Sequence, residues 1–445
     1  MPTTPVFDKS IFQRRRDEVL RRMRELAPGG AVAVFPSIAT ATRNSDVEHP
    51  YRAESDLFWL TGFEEPEAVA VLSTAKEKPL TLFVRPRDKE KEIWTGRRAG
   101  VEGAQQAFGA DQAFEIDKLD EQLPRFLQSS RTLFYRLGGH AEFDARIART
   151  LGYLRARARS GGGAPQRIED PGQIVHELRL HKTAEELATL RKAAELTRRG
   201  HLAAMSACRP GMHEYELQSL LEREFRGGGG RGSGYYPIVA AGANATVLHY
   251  NDNNSAVRDG ELVLIDAGAE VDLYTADVTR TFPASGRFSE PQRACYELVL
   301  AAADHCIART RPGETLDSLH EGAVRVLTGG LVKLGLLKGD VSALIQESAH
   351  RRYYMHRTSH WLGLDVHDVG SYRTAEGQPR PLAPGMVFTV EPGLYIAEDD
   401  ESAPPELRGI GIRIEDDLLV TETGHENLTV AIPRTVADVE AACRR

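Results

Sequence analysis

The sequence predicts a smaller α/β domain followed by a larger α+β domain that contains an internal pseudo-duplication. Three observations carry this. Short apolar runs alternate with polar stretches over the first third of the 445 residues, a length comfortable for two domains. The stretch RSGGGAPQRIEDPG (159–172) then breaks all periodicity, which sets the domains at 1–170 and 171–445. Beyond it, DGELVLIDAG (259–268) and PGMVFTVEPG (384–393) repeat one pattern: a glycine, five mostly apolar residues, an acid, one residue and a glycine.

In order along the chain, KSIFQRRRDEVLRRMREL (9–26) has helical spacing, and its arginines read as a solvated face. AVAVF (31–35), LFWLTGF (57–63), AVAVLS (68–73), LTLFV (80–84) and TLFYRL (132–137) read as strands of a covered sheet. Asp170 before Pro171 signals a helix start. Thr183 and Glu186 form a capping box ahead of a helix through residue 207, which Arg209-Pro210-Gly211 stops. HEYELQSLLEREF (213–225) is the next helix, ended by GGGGRGSG (227–234). That run lacks the G-K-[ST] ending and the leading strand of a phosphate cradle, so it reads as a flexible loop. Ser289 and Gln292 cap a further helix.

Composition excludes several classes of function. Fifty-six basic against 64 acidic residues give a net charge of −8, without the concentrated basic face that nucleic acid needs. No apolar run is long enough to span a bilayer, and the first residues, MPTTPVFDKS, do not form a secretory signal; a cytoplasmic protein without a membrane partner is expected. Cys208, Cys295, Cys306 and Cys443 include no C-x-x-C pair and form no disulfide framework; Cys295 reads as an inert core thiol.

The chemistry lies in three segments. HRTSHWLGLDVHDVG (356–370) carries His356, His360 and His367, any of which can serve as metal ligand, acid–base group or polar turn residue. LVLIDAGAEVDLYTADVTRTF (262–282) carries Asp266 and Asp277. If the hairpin turns at Val271-Asp272, these two face each other, about 4.5–5.5 Å apart at Cβ. Such carboxylates repel unless one is protonated or a cation lies between them. In GIGIRIEDDLLVTETG (409–424), Arg413 and Glu415 share one face of a strand. Asp266, Asp277, His360, Glu391 and Glu415 together offer four carboxylates and one imidazole. Two bridged divalent ions balance four negative charges better than one does. The oxygen-dominated set favours Mn²⁺, with Co²⁺ or Zn²⁺ as alternatives.

These segments resemble the five-ligand set of the dinuclear metallopeptidases of the pita-bread fold, a group that includes methionine aminopeptidase, prolidase and aminopeptidase P. YMHRTSHWLGLDVHDVG (354–370), PGMVFTVEPGLYI (384–396) and the 409–424 segment are similar to bacterial aminopeptidase P, the Xaa-Pro aminopeptidases. TRNSDVEHPYRAESDLFWLTGFEEPEAVAVL (42–72) resembles that family's N-terminal domain, so the likeness covers nearly the whole chain. It implies a pita-bread catalytic domain and hydrolysis of the first bond of peptides with proline in second place. It implies that Asp277 and Glu415 bridge the metals, that Asp266 completes one ion's shell, and that His360 and Glu391 complete the other's. A bridging water would attack, and Glu391 would carry its proton toward the leaving proline nitrogen. His367 would bind the developing oxyanion, while His356 and His249 would line the proline side. Tyr395 and Arg413 would support the site, Arg413 paired with Asp46. Trp94 would reach the site of a neighbouring subunit in a homodimer or homotetramer. Asp365 and Asp368 are left as supporting or exposed residues. Arg357 departs from the pattern, standing where relatives usually have glycine. Prolidase, which takes Xaa-Pro dipeptides, shares all five ligands and is the alternative enzyme. A metal-free binding protein and a creatinase-like hydrolase are disfavoured because all five ligand types are present.

Overall fold

The computed structural model describes residues 6–75, 77–128, 130–157, 159 and 163–444. Residues 1–5 of the start, and residues 160–162 of the expected interdomain stretch, lie outside the described residues. The chain divides into two compact units, Met1–Glu177 and Leu178–Arg445.

In the first unit, α1 (Lys9–Leu26) is capped by Asp8, whose side chain accepts from the Ser10 N–H. The strands β1 (Ala31–Pro36), β2 (Thr42–Asn44), β3 (Val47–Glu48), β4 (Val69–Ser73), β5 (Leu80–Val84), β6 (Gln112–Glu115), β7 (Thr132–Phe134) and β8 (Arg167–Glu169) follow. Six of them form one sheet in the order β6-β5-β4-β1-β7-β8, and β2 and β3 make a separate hairpin. The β1–β4 and β4–β5 pairs are antiparallel, and the outer pairs are parallel. Strands β1, β4 and β5 are buried along their whole length, which is why their sequences are unbroken apolar runs.

Two expectations fail in this unit. LFWLTGF is not a strand: Ser55–Thr61 form a helix, α2, started by Glu54 and ended at Gly62. All seven of its residues are buried, so no face alternates and its apolar run is indistinguishable from a covered strand. Nor are all the arginines of α1 solvated. Arg15 and Arg16 are 5% and 2% exposed and donate to the carbonyls of Trp59 and Leu60, at the last turn of α2. They supply donors that the end of a short helix lacks.

The second unit is built from two helix pairs and several small antiparallel sheets. The helices α8 (Ala184–Ala207) and α9 (Glu214–Gly227) pack together, as do α10 (Glu290–Arg309) and α11 (Leu316–Lys333). The Thr183–Glu186 and Ser289–Gln292 capping boxes form as expected. The two look-alike segments become β11 (Leu262–Asp266) and β15 (Val387–Val390), each paired antiparallel with a later strand: β11 with β14 (Thr279–Pro283), and β15 with β18 (Asp416–Val420). A long β11–β14 hairpin continues through β12 (Ala269–Val271) and β13 (Tyr274–Thr275), and β17 (Gly411–Arg413) pairs with β16 (Gly393–Tyr395). The glycine run ends α9 and leads into β9 (Gly232–Ser233), beside β12. The apolar faces of α8–α11 and of these sheets enclose the main core, where Cys295 is fully buried.

Candidate metal centre

Four of the five candidate ligands sit at or near strand ends. Asp266 closes β11, Asp277 lies between β13 and β14, Glu391 follows β15, and Glu415 lies between β17 and β18; His360 comes from a loop. The hairpin turns at Asp272-Leu273, both with positive φ (48° and 69°), one residue beyond the expected turn. Asp266 therefore opposes Thr279, and Asp277 is its diagonal neighbour. The slip moves each partner by two positions, so the side chains keep their face. The two carboxylates still converge, because the Tyr235 hydroxyl lies 2.6 Å from an oxygen of each.

Asp277, His360 and Glu415 offer ligand atoms that all lie within 4.8 Å of one another. His360 Nε2 is 3.4 Å from Asp277 and 3.7 Å from Glu391. Its other ring nitrogen lies 3.0 Å from the Trp361 carbonyl, the kind of outer partner that fixes a ligating imidazole. Thr279 donates to Glu415 (2.7 Å). Arg413, expected opposite Asp46, donates to Asp266 (2.6 Å), Tyr395 (3.0 Å) and Thr279 (3.1 Å). Asp46 itself is exposed in the β2–β3 turn.

Electrostatics favour a cation here. Burial, with the charges of Asp277, Glu391 and Asp266, drives Glu415 well above the ordinary carboxylate range. Burial raises Glu391 to about 7, the opposing pull of His360 and Arg413 notwithstanding. It raises Asp277 as well. Burial would depress His360, but Asp277 and Glu391 outweigh it and lift the imidazolium to about 9. Acids and an imidazole that hold protons this firmly are crowded negative charge, and hard divalent cations suit such a donor set.

The cluster lines a cavity of about 770 Å³, which His249, His356 and His367 also line. His356 is held by Tyr395, 2.8 Å from its Nε2, and burial lowers its pKa to about 4. His367 packs edge-on to His360, with ring centroids 4.4 Å apart; burial and the His360 charge lower its pKa too. Arg357 lies on the cavity wall and pairs with Asp317. Trp94 stands in the first unit, 87% exposed on α3 (Lys89–Thr95).

Sequence reasoning missed Tyr235, Thr279 and Asp417. Tyr235 directly follows the dismissed glycine run. Thr279 lies two residues beyond Asp277, at the start of β14, where a lone threonine carries no mark of its own in the sequence. Asp417 accepts the Asp277 N–H (3.1 Å), and burial keeps it well above the carboxylate range.

Comparison with known proteins places these features in a family. Residues 188–422 match the model for metallopeptidase family M24, and residues 12–135 match that for the aminopeptidase P N-terminal domain. The chain is 45% identical to the Xaa-Pro aminopeptidase of Escherichia coli K12, over 97% of this chain and 96% of that one. Its structure is similar to that of an aminopeptidase of Pseudomonas aeruginosa (47% identity, TM-score 0.95, 98% of both chains). It is also similar to zinc-substituted E. coli aminopeptidase P in complex with product (44% identity, TM-score 0.94, 98% of both chains).

Proposed function

The chain belongs to metallopeptidase family M24 and, within it, to the Xaa-Pro aminopeptidases, and we propose that it removes the residue before an N-terminal proline by means of two divalent ions, Mn²⁺ foremost. It is a metal-dependent hydrolase of Xaa-Pro bonds with a pita-bread catalytic domain. The observation that carries the metal reading is the convergence of Asp277, His360 and Glu415 inside a cavity large enough for a short peptide. Asp266, Asp277, His360, Glu391 and Glu415 would hold the ions. When bound, divalent ions lower the pKa of water and polarise a carbonyl.

The chain's own groups do the rest. Glu391, which lines the cavity beside the other ligands, takes a proton from water and returns it. The acceptor is the proline nitrogen, which belongs to a tertiary amide and must be protonated as it leaves. His367 donates to the carbonyl oxygen as that oxygen gains charge, a contact worth about 2.7–4 kcal/mol of barrier by analogy with a single oxyanion donor. His356, fixed by Tyr395, and His249 form the proline side of the cavity. Arg413 keeps Asp266 and Tyr395 in place.

The test is the metal-free protein against Ala-Pro-Ala with each metal added back, and against the dipeptide Ala-Pro. Mn²⁺ should restore tripeptide cleavage most fully, and Glu391→Ala or His360→Ala should abolish it. Retained activity in either variant removes the ligand assignment, and faster dipeptide turnover makes the enzyme a prolidase. We further propose a homodimer or homotetramer in which Trp94 and Asp46 contribute to substrate binding. Trp94→Ala should then raise KM, and sedimentation at the single-chain 49.1 kDa would count against the assembly.

A further inference from the structure

His360 and His367 stand at the two feet of one loop. The feet are tied by the Asp368 N–H, which donates to the Trp361 carbonyl (2.9 Å). Behind the loop, the Asp368 carboxylate accepts from Arg179 on one oxygen (2.6 Å) and from Lys182 on the other (3.0 Å). Arg179 donates in addition to Asp365 of the same loop (2.8 Å). The side chains of Arg179, Lys182 and Asp368 are all 1–2% exposed, so this is a dry clasp of charges, and of the two roles expected for Asp368, supporting or exposed, the second does not hold. The loop closes tightly upon it: a Cβ on Gly363 would lie 2.2 Å from Asp368 Oδ2 and 2.9 Å from Lys182 Cε. Burying charges this way is a poor source of net stability, and its best-attested use is to specify one arrangement.

His367 needs such help. Among the described residues neither of its ring nitrogens has a hydrogen-bond partner; its one ring contact is the edge-on packing against His360. Both nitrogens are free for substrate, so the direction of the ring is set by its backbone and by packing. The next residue in the chain is the clasped one.

We propose that Asp368, gripped by Arg179 and Lys182, is a positioning residue that sets the aim of His367 at the carbonyl of the bond being cut. The inference rests on the reading of His367 as the oxyanion donor. Its test is a double-mutant cycle on the metal-loaded enzyme with Ala-Pro-Ala, using Asp368→Asn, His367→Ala and the pair together. His367→Ala should lower kcat about 100-fold or more. Asp368→Asn should lower kcat about 10–100-fold, the range for outer partners of active-site groups, with KM and metal content as in the parent enzyme. In the His367→Ala background it should cost nothing further. Equal losses in both backgrounds, an unchanged kcat in Asp368→Asn, or lost metal, which would mean action through His360, each overturn the proposal. A harmless His367→Ala removes the oxyanion reading itself, and the proposal with it. Should Asp368→Asn fail to fold, Lys182→Met, which leaves the Arg179 contact intact, takes its place in the cycle with the same outcomes.

Discussion

At the scale of single residues, the site stores protons when no metal is bound. The Glu391 carboxyl, raised by burial from 4.5 to about 7, binds its proton more tightly in the folded chain than in the unfolded one. The Glu391 contribution to the stability of the metal-free protein should therefore fall as pH rises from about 4.5 to about 7 and level off above. Thermal melts of chelated parent and Glu391→Gln proteins across that range check the sign; a parent that gains on the variant from about pH 5 to 7 contradicts it. The acids were legible in the sequence because Asp266, Glu391 and Glu415 end or interrupt runs of β-branched residues, where a lone carboxylate is costly. Tyr235 and Thr279 were not legible. A hydroxyl is unremarkable in a strand or after a loop, and only the folded chain aims these two at the carboxylates.

At the scale of elements, the hairpin from β11 to β14 decides whether Asp277 meets its partners. Gly268 lies within it, and a Cβ there would come 1.7 Å from the Ala276 carbonyl oxygen. Gly268→Ala should force the strands apart next to Asp277, destabilise the protein by about 3 kcal/mol or more, and lower the bound metal per chain. Denaturant melts with metal analysis test this, and full occupancy with unchanged stability would refute it. The turn itself was misplaced by one residue because Asp272 and Leu273 carry no glycine to announce a turn with two positive φ angles. Helix α2 was misread for a different reason: burial on every side erases the periodicity that distinguishes helix from strand. Helices with a wet face and a capping box, such as α8 and α10, were legible almost residue by residue.

At the scale of the whole chain, metal should act as a ligand that binds only the folded state. Metal-loaded protein should melt above chelated protein, with a gain of about 2.7 kcal/mol once free metal exceeds its dissociation constant a hundredfold. Calorimetry with and without chelator measures it, and equal melting temperatures would argue against a folded-state metal site. The two-unit organisation and the repeated strand pattern were visible because composition shifts and strand-ending acids are local marks. What sequence spacing did not give is how the small sheets of the second unit come together, since side-chain contacts between them join residues more than a hundred positions apart, as in the Thr279 hydroxyl with Glu415. That separation has a consequence for synthesis. Of the five groups we propose as ligands, Asp266 and Asp277 come from the earlier half of the second unit, and His360, Glu391 and Glu415 from the later half. A growing chain made at about 5–20 residues per second holds the earlier pair for several seconds before the later three exist. Until residue 415 has emerged and β18 has paired with β15, no complete donor set is present. On the proposed ligand set, complete metal loading is thus one of the last events in the making of this enzyme.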